Sequence, residues 1–271
     1  MLKESTLKIR KMKNLLLVFA AFTFSVNVHA QKNQDSHFSY QFSVDFMGTT
    51  ILSRTEDLFY NGNESTYVTY DKDLKSPETT INTSDKEGSN AALTFKSSSD
   101  GKDVVIYKDY RKKVMVLKDV TLTGKKCVVN DSIPRFEWKF ESEKKRIGIF
   151  NCQKATTIFR CAKYTVWFTT DIPLSIGPWK LSGLPGLIVE AYNEKSNGKY
   201  SLVTAEYPVS QLKYTVAPPK TNDIVYSYHN FAMVQLKEAE KQKVFRIASS
   251  DDNSDSMVID TSPECYNNHE N

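Results

Sequence analysis

Along most of this chain hydrophobic residues alternate with polar ones, and the spacing predicts strands. Phe38, Tyr40, Phe42, Val44 and Phe46 are separated by Ser39, Gln41, Ser43 and Asp45, the period of two expected of a strand with one buried face. Leu58 and Tyr60, an Asn61-Gly62 turn, then Tyr67, Val68 and Tyr70 predict a hairpin. Leu93 and Phe95 resume the alternation, short apolar runs follow at 104–107 and 114–117, and Phe136, Trp138 and Phe140 alternate with charged residues. A charged turn over 143–146 is expected to lead into a strand over 147–159, and a turn over 160–163 into a strand over 164–168. An Asn197-Gly198 turn separates strands over 187–192 and 200–207. Residues 71–91 are polar and read as a loop.

At least nine strands with short connections predict a mainly β fold. The expected form is one large, curved antiparallel sheet, as a half-open barrel or a sandwich. One helix in the C-terminal half interrupts it: residues 227–243 lack turn formers and place Phe231, Val234 and Ala239 among Glu and Lys. Ser227 is its expected N-cap.

The two ends read differently. Lys3, Lys8, Arg10, Lys11 and Lys13 precede an apolar stretch over 15–26, and Val28 and Ala30 are suitable for a cleavage site. Residues 1–30 are therefore expected to be a signal peptide cleaved after Ala30, with translation starting at Met1 or Met12. The apolar stretch falls short of the ~20 residues that span a bilayer. Residues 31–248 then form one domain, and 249–271, rich in Asp, Ser and Asn, a polar tail. Localisation is expected to be periplasmic or secreted, with no integral membrane segment after cleavage.

The net charge of +4 is supplied largely by the leader. The mature chain is near neutral, which argues against an electrostatic nucleic-acid binder. Four cysteines, Cys127, Cys152, Cys161 and Cys265, in an exported chain favour disulfides over metal, and their spacing suits no zinc site. Nine residues of strand hold Cys152 and Cys161 roughly 30 Å apart, beyond disulfide reach. Folding 127–140 against 148–161 brings Cys127 opposite Cys161. The preferred pairing is Cys127–Cys161, with Cys152 reduced or tied to Cys265.

A denser motif lies between these strands. Cys152-Gln153-Lys154-Ala155 is followed by Tyr164-Thr165-Val166-Trp167-Phe168-Thr169, Asp171-Ile172-Pro173, Gly177-Pro178 and Gly183-Leu184-Pro185-Gly186-Leu187-Ile188. Over roughly 60 residues this resembles the GLPGLI family, exported proteins of Bacteroidota without an assigned activity. Where that family usually shows Gly-Arg before the tryptophan strand, this chain has Cys161-Ala162. The resemblance carries over no catalytic residue and no cofactor, and it implies an envelope setting.

Candidate chemistry in the motif is sparse. Asp171 is the one acid to consider, as a hydrolase residue or as a turn aspartate accepting backbone N–H groups. Cys152 lacks a histidine in a suitable context, and no Gly-x-Ser-x-Gly elbow is present. Trp167 and Trp179 either rim a groove that receives a ligand, or pack as a core residue of the strand (Trp167) and a cap on the loop (Trp179). Gly183, Leu184, Pro185 and Gly186 specify a tight backbone path, with ligand contact as a second role. The expected function is non-catalytic binding of an apolar, peptide or lipid-like ligand, or of a protein partner, near the 167–188 loop. The alternatives are a hydrolase using Asp171 and a structural envelope scaffold.

Overall fold

The computed structural model describes residues 35–46, 49–70, 79–84, 90–95, 104–121, 123–220 and 222–249. The expected signal peptide, the tail beyond Ser249 and Cys265 lie outside them.

Fourteen strands and one helix are formed by these residues. The strands are β1 (Ser36–Phe46), β2 (Thr49–Tyr60), β3 (Glu64–Thr69), β4 (Thr79–Ser84), β5 (Asn90–Phe95), β6 (Val104–Asp109), β7 (Val114–Val120), β8 (Lys126–Ser132), β9 (Lys139–Ile147), β10 (Phe150–Phe159), β11 (Ala162–Thr169), β12 (Leu187–Asn193), β13 (Gly198–Glu206) and β14 (Ile224–Ser227). The helix, α1, spans Tyr228–Ser249. Twelve strands make one sheet in the order β14-β8-β7-β6-β3-β2-β1-β13-β12-β11-β10-β9, and the sheet does not close. Every pairing is antiparallel except that of β14 with β8. β4 and β5 form a separate two-stranded ribbon, so part of the stretch read as loop over 71–91 is strand.

Turn chemistry places the hairpins. Gly62 takes φ 93° between β2 and β3, as the Asn61-Gly62 pair predicts, and the Asn61 side-chain oxygen accepts the backbone N–H groups of Asn63 and Glu64. The charged run over 143–146 is not the turn it was expected to be. β9 continues through it to Ile147, and the reversal falls on Gly148 (φ 58°) and Ile149, with Ile147 opposite Phe150. Glycine at the first central position suits a II′ hairpin turn, a stronger determinant than charge. Arg160 and Cys161, at φ 49° and 57°, make the two-residue turn between Phe159 and Ala162.

The sheet curls around the segment joining β11 to β12. In that segment Ile172, Leu174 and Ile176 are buried while Asp171, Pro173 and Ser175 are exposed, so it continues the strand-like alternation. Ile172, Leu174, Ile176 and Leu187 pack with Phe38, Tyr40, Leu58, Tyr67, Ile106 and Leu117 from the concave face. Leu181, Leu184 and Ile188 pack with Ala155, Phe159, Tyr164, Val166 and Phe168. The hexapeptide segment is thus a plug that fills the half-barrel. α1 docks at the β7–β8 turn, where Glu238 accepts bonds from the Thr121 and Thr123 hydroxyls and from the Thr123 N–H. Ser227 caps the helix through the N–H of Asn230 at 3.2 Å.

Candidate functional site

Two glycines let the plug enter the sheet. A Cβ on Gly186 would stand 1.9 Å from the Thr169 carbonyl oxygen, and one on Gly177 2.7 Å from Ile188 Cδ1. The backbone then folds on itself: Leu187 N–H donates to Ile172 O, Ile188 N–H to Ile176 O and Leu181 N–H to Pro178 O. Trp138 fastens the rim with an indole N–H to Ser182 O at 2.9 Å, and the Tyr40 hydroxyl donates to Ile188 O at 2.7 Å. Leu184 is 1% exposed, whereas Gly183 and Pro185 face solvent.

The two tryptophans part company. Trp179 belongs to the interior, stacked on Tyr164 with ring centroids 6.0 Å apart and edge-on to Phe159. Trp167 points to the other face of β11, half-buried, with the Lys145 ammonium 4.3 Å from its ring centroid. Lys145 also pairs with Glu190 at 2.7 Å. Asp171 is exposed and its Oδ2 accepts the Asn151 N–H at 3.2 Å, the turn role that its position before Ile172-Pro173 suggests.

Beside Trp167 and Asp171 lies an open groove of about 460 Å³, lined by Lys144, Arg146, Asn151, Cys152, Gln153 and Phe168 among others. It runs along an edge of the sheet: among the described residues β9 pairs with β10 and with no second strand, and most of its residues are exposed. Ile147 and Phe150 flank a two-residue turn and so bond to each other. By alternation Lys145 faces β10, while Lys144 and Arg146 turn their backbone groups outward. Phe140, Ile149 and Ile158 add exposed apolar side chains, at 53%, 76% and 76%. Sequence reasoning missed this basic edge because it took Lys144, Lys145 and Arg146 for a turn.

The cysteines correct an expectation. Cys127 and Cys152 are both buried free thiols, so neither the Cys127–Cys161 pairing nor a Cys152–Cys265 bond is formed. The reason is topological: β8 pairs with β7 and β14, not with β10, and the segment after β8 crosses to the opposite end of the sheet order. Burial, with Asp119 beside Cys127 and Glu190 beside Cys152, pushes each thiol up to about 11. Neither is a nucleophile at neutral pH.

One further polar cluster was not anticipated. His37 Nδ1 lies 2.9 Å from Glu206 Oε2 and its Nε2 3.1 Å from Asp57 Oδ1, with Ser39 Oγ 3.4 Å from Nε2. The hydrogen bond to Asp57 raises the His37 pKa above its ordinary 6.5, against burial and with help from Glu206. The Ser39 hydroxyl donates to Asp57. Both ring nitrogens face carboxylates and the Ser39 hydroxyl is directed at Asp57, so the histidine is not placed to take the serine's proton. Among the described residues no group of His, Cys, Asp and Glu is arranged to hold a metal.

A family model described as "Protein of unknown function (Porph_ging)" matches residues 158–190, the end of β10 through the plug into β12. No curated protein matches significantly. Among solved structures, PNGF-II in space group C2 aligns with a TM-score of 0.49 at 14% identity, over 76% of this chain and 33% of that one. The P21 form gives 0.48 at 15%, over 76% and 34%. The chain spans about a third of the length of those chains. No helix among the described residues is long and apolar enough to cross a membrane.

Proposed function

We propose that this is an exported, non-catalytic binding protein of the GLPGLI family that takes an extended, acidic segment of a protein partner along β9. The observation that carries the reading is the free edge itself, in register with a basic groove and flanked by Trp167. Unpaired outward N–H and C=O groups are a template for an added strand. Lys144 and Arg146 supply cationic side chains on that edge, which favours acidic partners and disfavours basic ones. The plug occupies the concave face, which weighs against a lipid carried inside the sheet. Asp171 is committed to Asn151, which weighs against a hydrolase. The resemblance to exported proteins and the basic, apolar leader support an envelope location.

The mature chain, residues 31–271, is the material for the test. Fluorescence anisotropy with a labelled decapeptide alternating Glu with Val and Thr should show saturable binding, and the Lys counterpart should not. Lys144→Pro removes an N–H that the sheet does not use, and should abolish binding with little loss of stability. Equal binding of both peptides, or a Lys144→Pro protein that binds as before, would refute the edge reading.

A further inference from the structure

Away from the β9 edge, the concave face gathers cations that the described residues partner only in part. Lys108 projects from β6 and is 1% exposed. Its ammonium reaches the Leu181 carbonyl at 3.5 Å, the outer limit of a hydrogen bond. Lys180, in the plug and 6% exposed, makes no hydrogen bond or ion pair among the described residues. Its ammonium lies 5.1 Å from the Trp179 ring centroid and 5.5 Å from that of Tyr228. Arg160, in the β10–β11 turn, covers the same Tyr228 ring at 3.5 Å. One of its nitrogens pairs with Asp131 at 2.8 Å, while its buried Nε has no partner.

A buried amine without hydrogen bonds is costly unless something neutralises it. Here burial, reinforced by mutual repulsion, pulls Lys108 down to about 7. Burial and then Arg160 do the same for Lys180, against Asp131 and Asp119. Loss of a proton from either lysine relieves that repulsion. An arriving anion would return the proton, since its charge restores the ammonium form.

We propose that Lys108, Lys180 and Arg160 form a binding site for a small free tetrahedral oxyanion, phosphate or sulfate, between the 178–182 turn of the plug and the first residue of α1. Donors arrive from three separate elements, a spread that suits a tetrahedral ion better than a planar carboxylate. Tyr228 opens α1, so the positive end of the helix adds to the same field. The depth of both lysines restricts the occupant to the free ion and excludes its esters. The charged and titratable groups facing Lys180 are Lys108 from β6, Asp119 from β7, Asp131 from β8, Arg160 from the hairpin turn and Tyr228 from α1. For sulfate, which does not itself titrate in this range, binding consequently takes up protons and tightens as pH falls through 7.

Calorimetric titration of the intact mature protein with inorganic sulfate at pH 7.5 and constant ionic strength tests this, in two buffers of different ionisation enthalpy. The expected result is saturable binding whose heat depends on the buffer in the sense of proton uptake. Phosphate should compete, and phosphoserine and acetate should not. Lys180→Met should weaken binding at least tenfold, with Lys108→Met as the second variant should the first not fold. Lys241→Gln, at an exposed position of α1, should bind as wild type. Heat that is the same in both buffers, variants that bind normally, or acetate binding as tightly as phosphate would overturn the site.

Discussion

Replacing Gly186 with alanine tests the most specific claim about the hexapeptide, that its glycine is required by a backbone contact. The new Cβ would sit 1.9 Å from Thr169 O, 2.7 Å from Thr169 C and 3.1 Å from Thr170 Cα. All three are main-chain atoms, so no side chain can rotate away. Relief requires the plug to withdraw from the end of β11 by roughly 1.5 Å, the shortfall from an ordinary contact. That shift strains the bonds from Leu187 N–H to Ile172 O (3.0 Å) and from Ile188 N–H to Ile176 O (3.1 Å), at about 1 kcal/mol each. It also loosens Leu184, 1% exposed, where partial unpacking costs about 1–2 kcal/mol of the 2–5 that full truncation would. The expected loss is about 3–4 kcal/mol, or about 10 °C in Tm for a domain of this size. Gly183→Ala provides the scale. Its φ of 92° is unfavourable for alanine, but the nearest atom, Trp138 Nε1, stands at 3.5 Å, so about 1–2 kcal/mol is expected. Pro185→Ala, at an exposed position, should cost less than about 1 kcal/mol. Urea unfolding of the three variants gives the ranking. A Gly186→Ala protein within about 1 kcal/mol of wild type, or less affected than Gly183→Ala, would show that the plug is not held by this contact.

Three other outcomes follow from the same geometry. Because Asp57 and Glu206 raise the His37 pKa above 6.5, its stabilisation is fully present below the unfolded value and disappears as pH rises through the folded one. Stability measured from pH 5.5 to 8.5 should therefore fall with pH more in wild type than in His37→Gln, and a difference that grows with pH would contradict the assignment. With Cys127 and Cys152 buried and free, Cys161 and Cys265 are the one pair left. Mass spectrometry of a non-reduced digest should find that cross-link and none to Cys127 or Cys152. Finally, Cys161 holds φ 57° in a two-residue turn, so under reducing conditions Cys161→Gly should raise stability by about 1 kcal/mol; a loss would show that its side chain packs favourably there.

Most strands were legible because their alternation is strict. β1 and β13, with Tyr40 opposite Leu202, each present one apolar face, and the Asn61-Gly62 and Asn197-Gly198 pairs locate two reversals. Errors came where local signals competed. Charge at 143–146 suggested a turn, but Gly148 supplies the positive φ that a two-residue reversal needs. The ribbon of β4 and β5 was hidden in a stretch dominated by polar residues. For the candidate site, Asp171 and the hexapeptide were visible as motif, whereas the basic edge depended on the register of β9 against β10.

By itself the sequence determined the period-two pattern, the single helix with its Ser227 cap, and the glycines without which the hexapeptide has no path. Those are local matters of backbone angles and side-chain periodicity. Only the tertiary structure decided that the segment from Ile172 to Ile188 fills the sheet instead of linking its strands, that Trp179 turns inward while Trp167 turns outward, and that Cys127 and Cys161 do not meet. It alone brought Lys180 and Arg160 onto the Tyr228 ring, with Lys108 close enough to Lys180 to repel it. The physical reason is that strand order and curl are set by long-range burial, and alternation along a strand carries no information about which neighbour it will have.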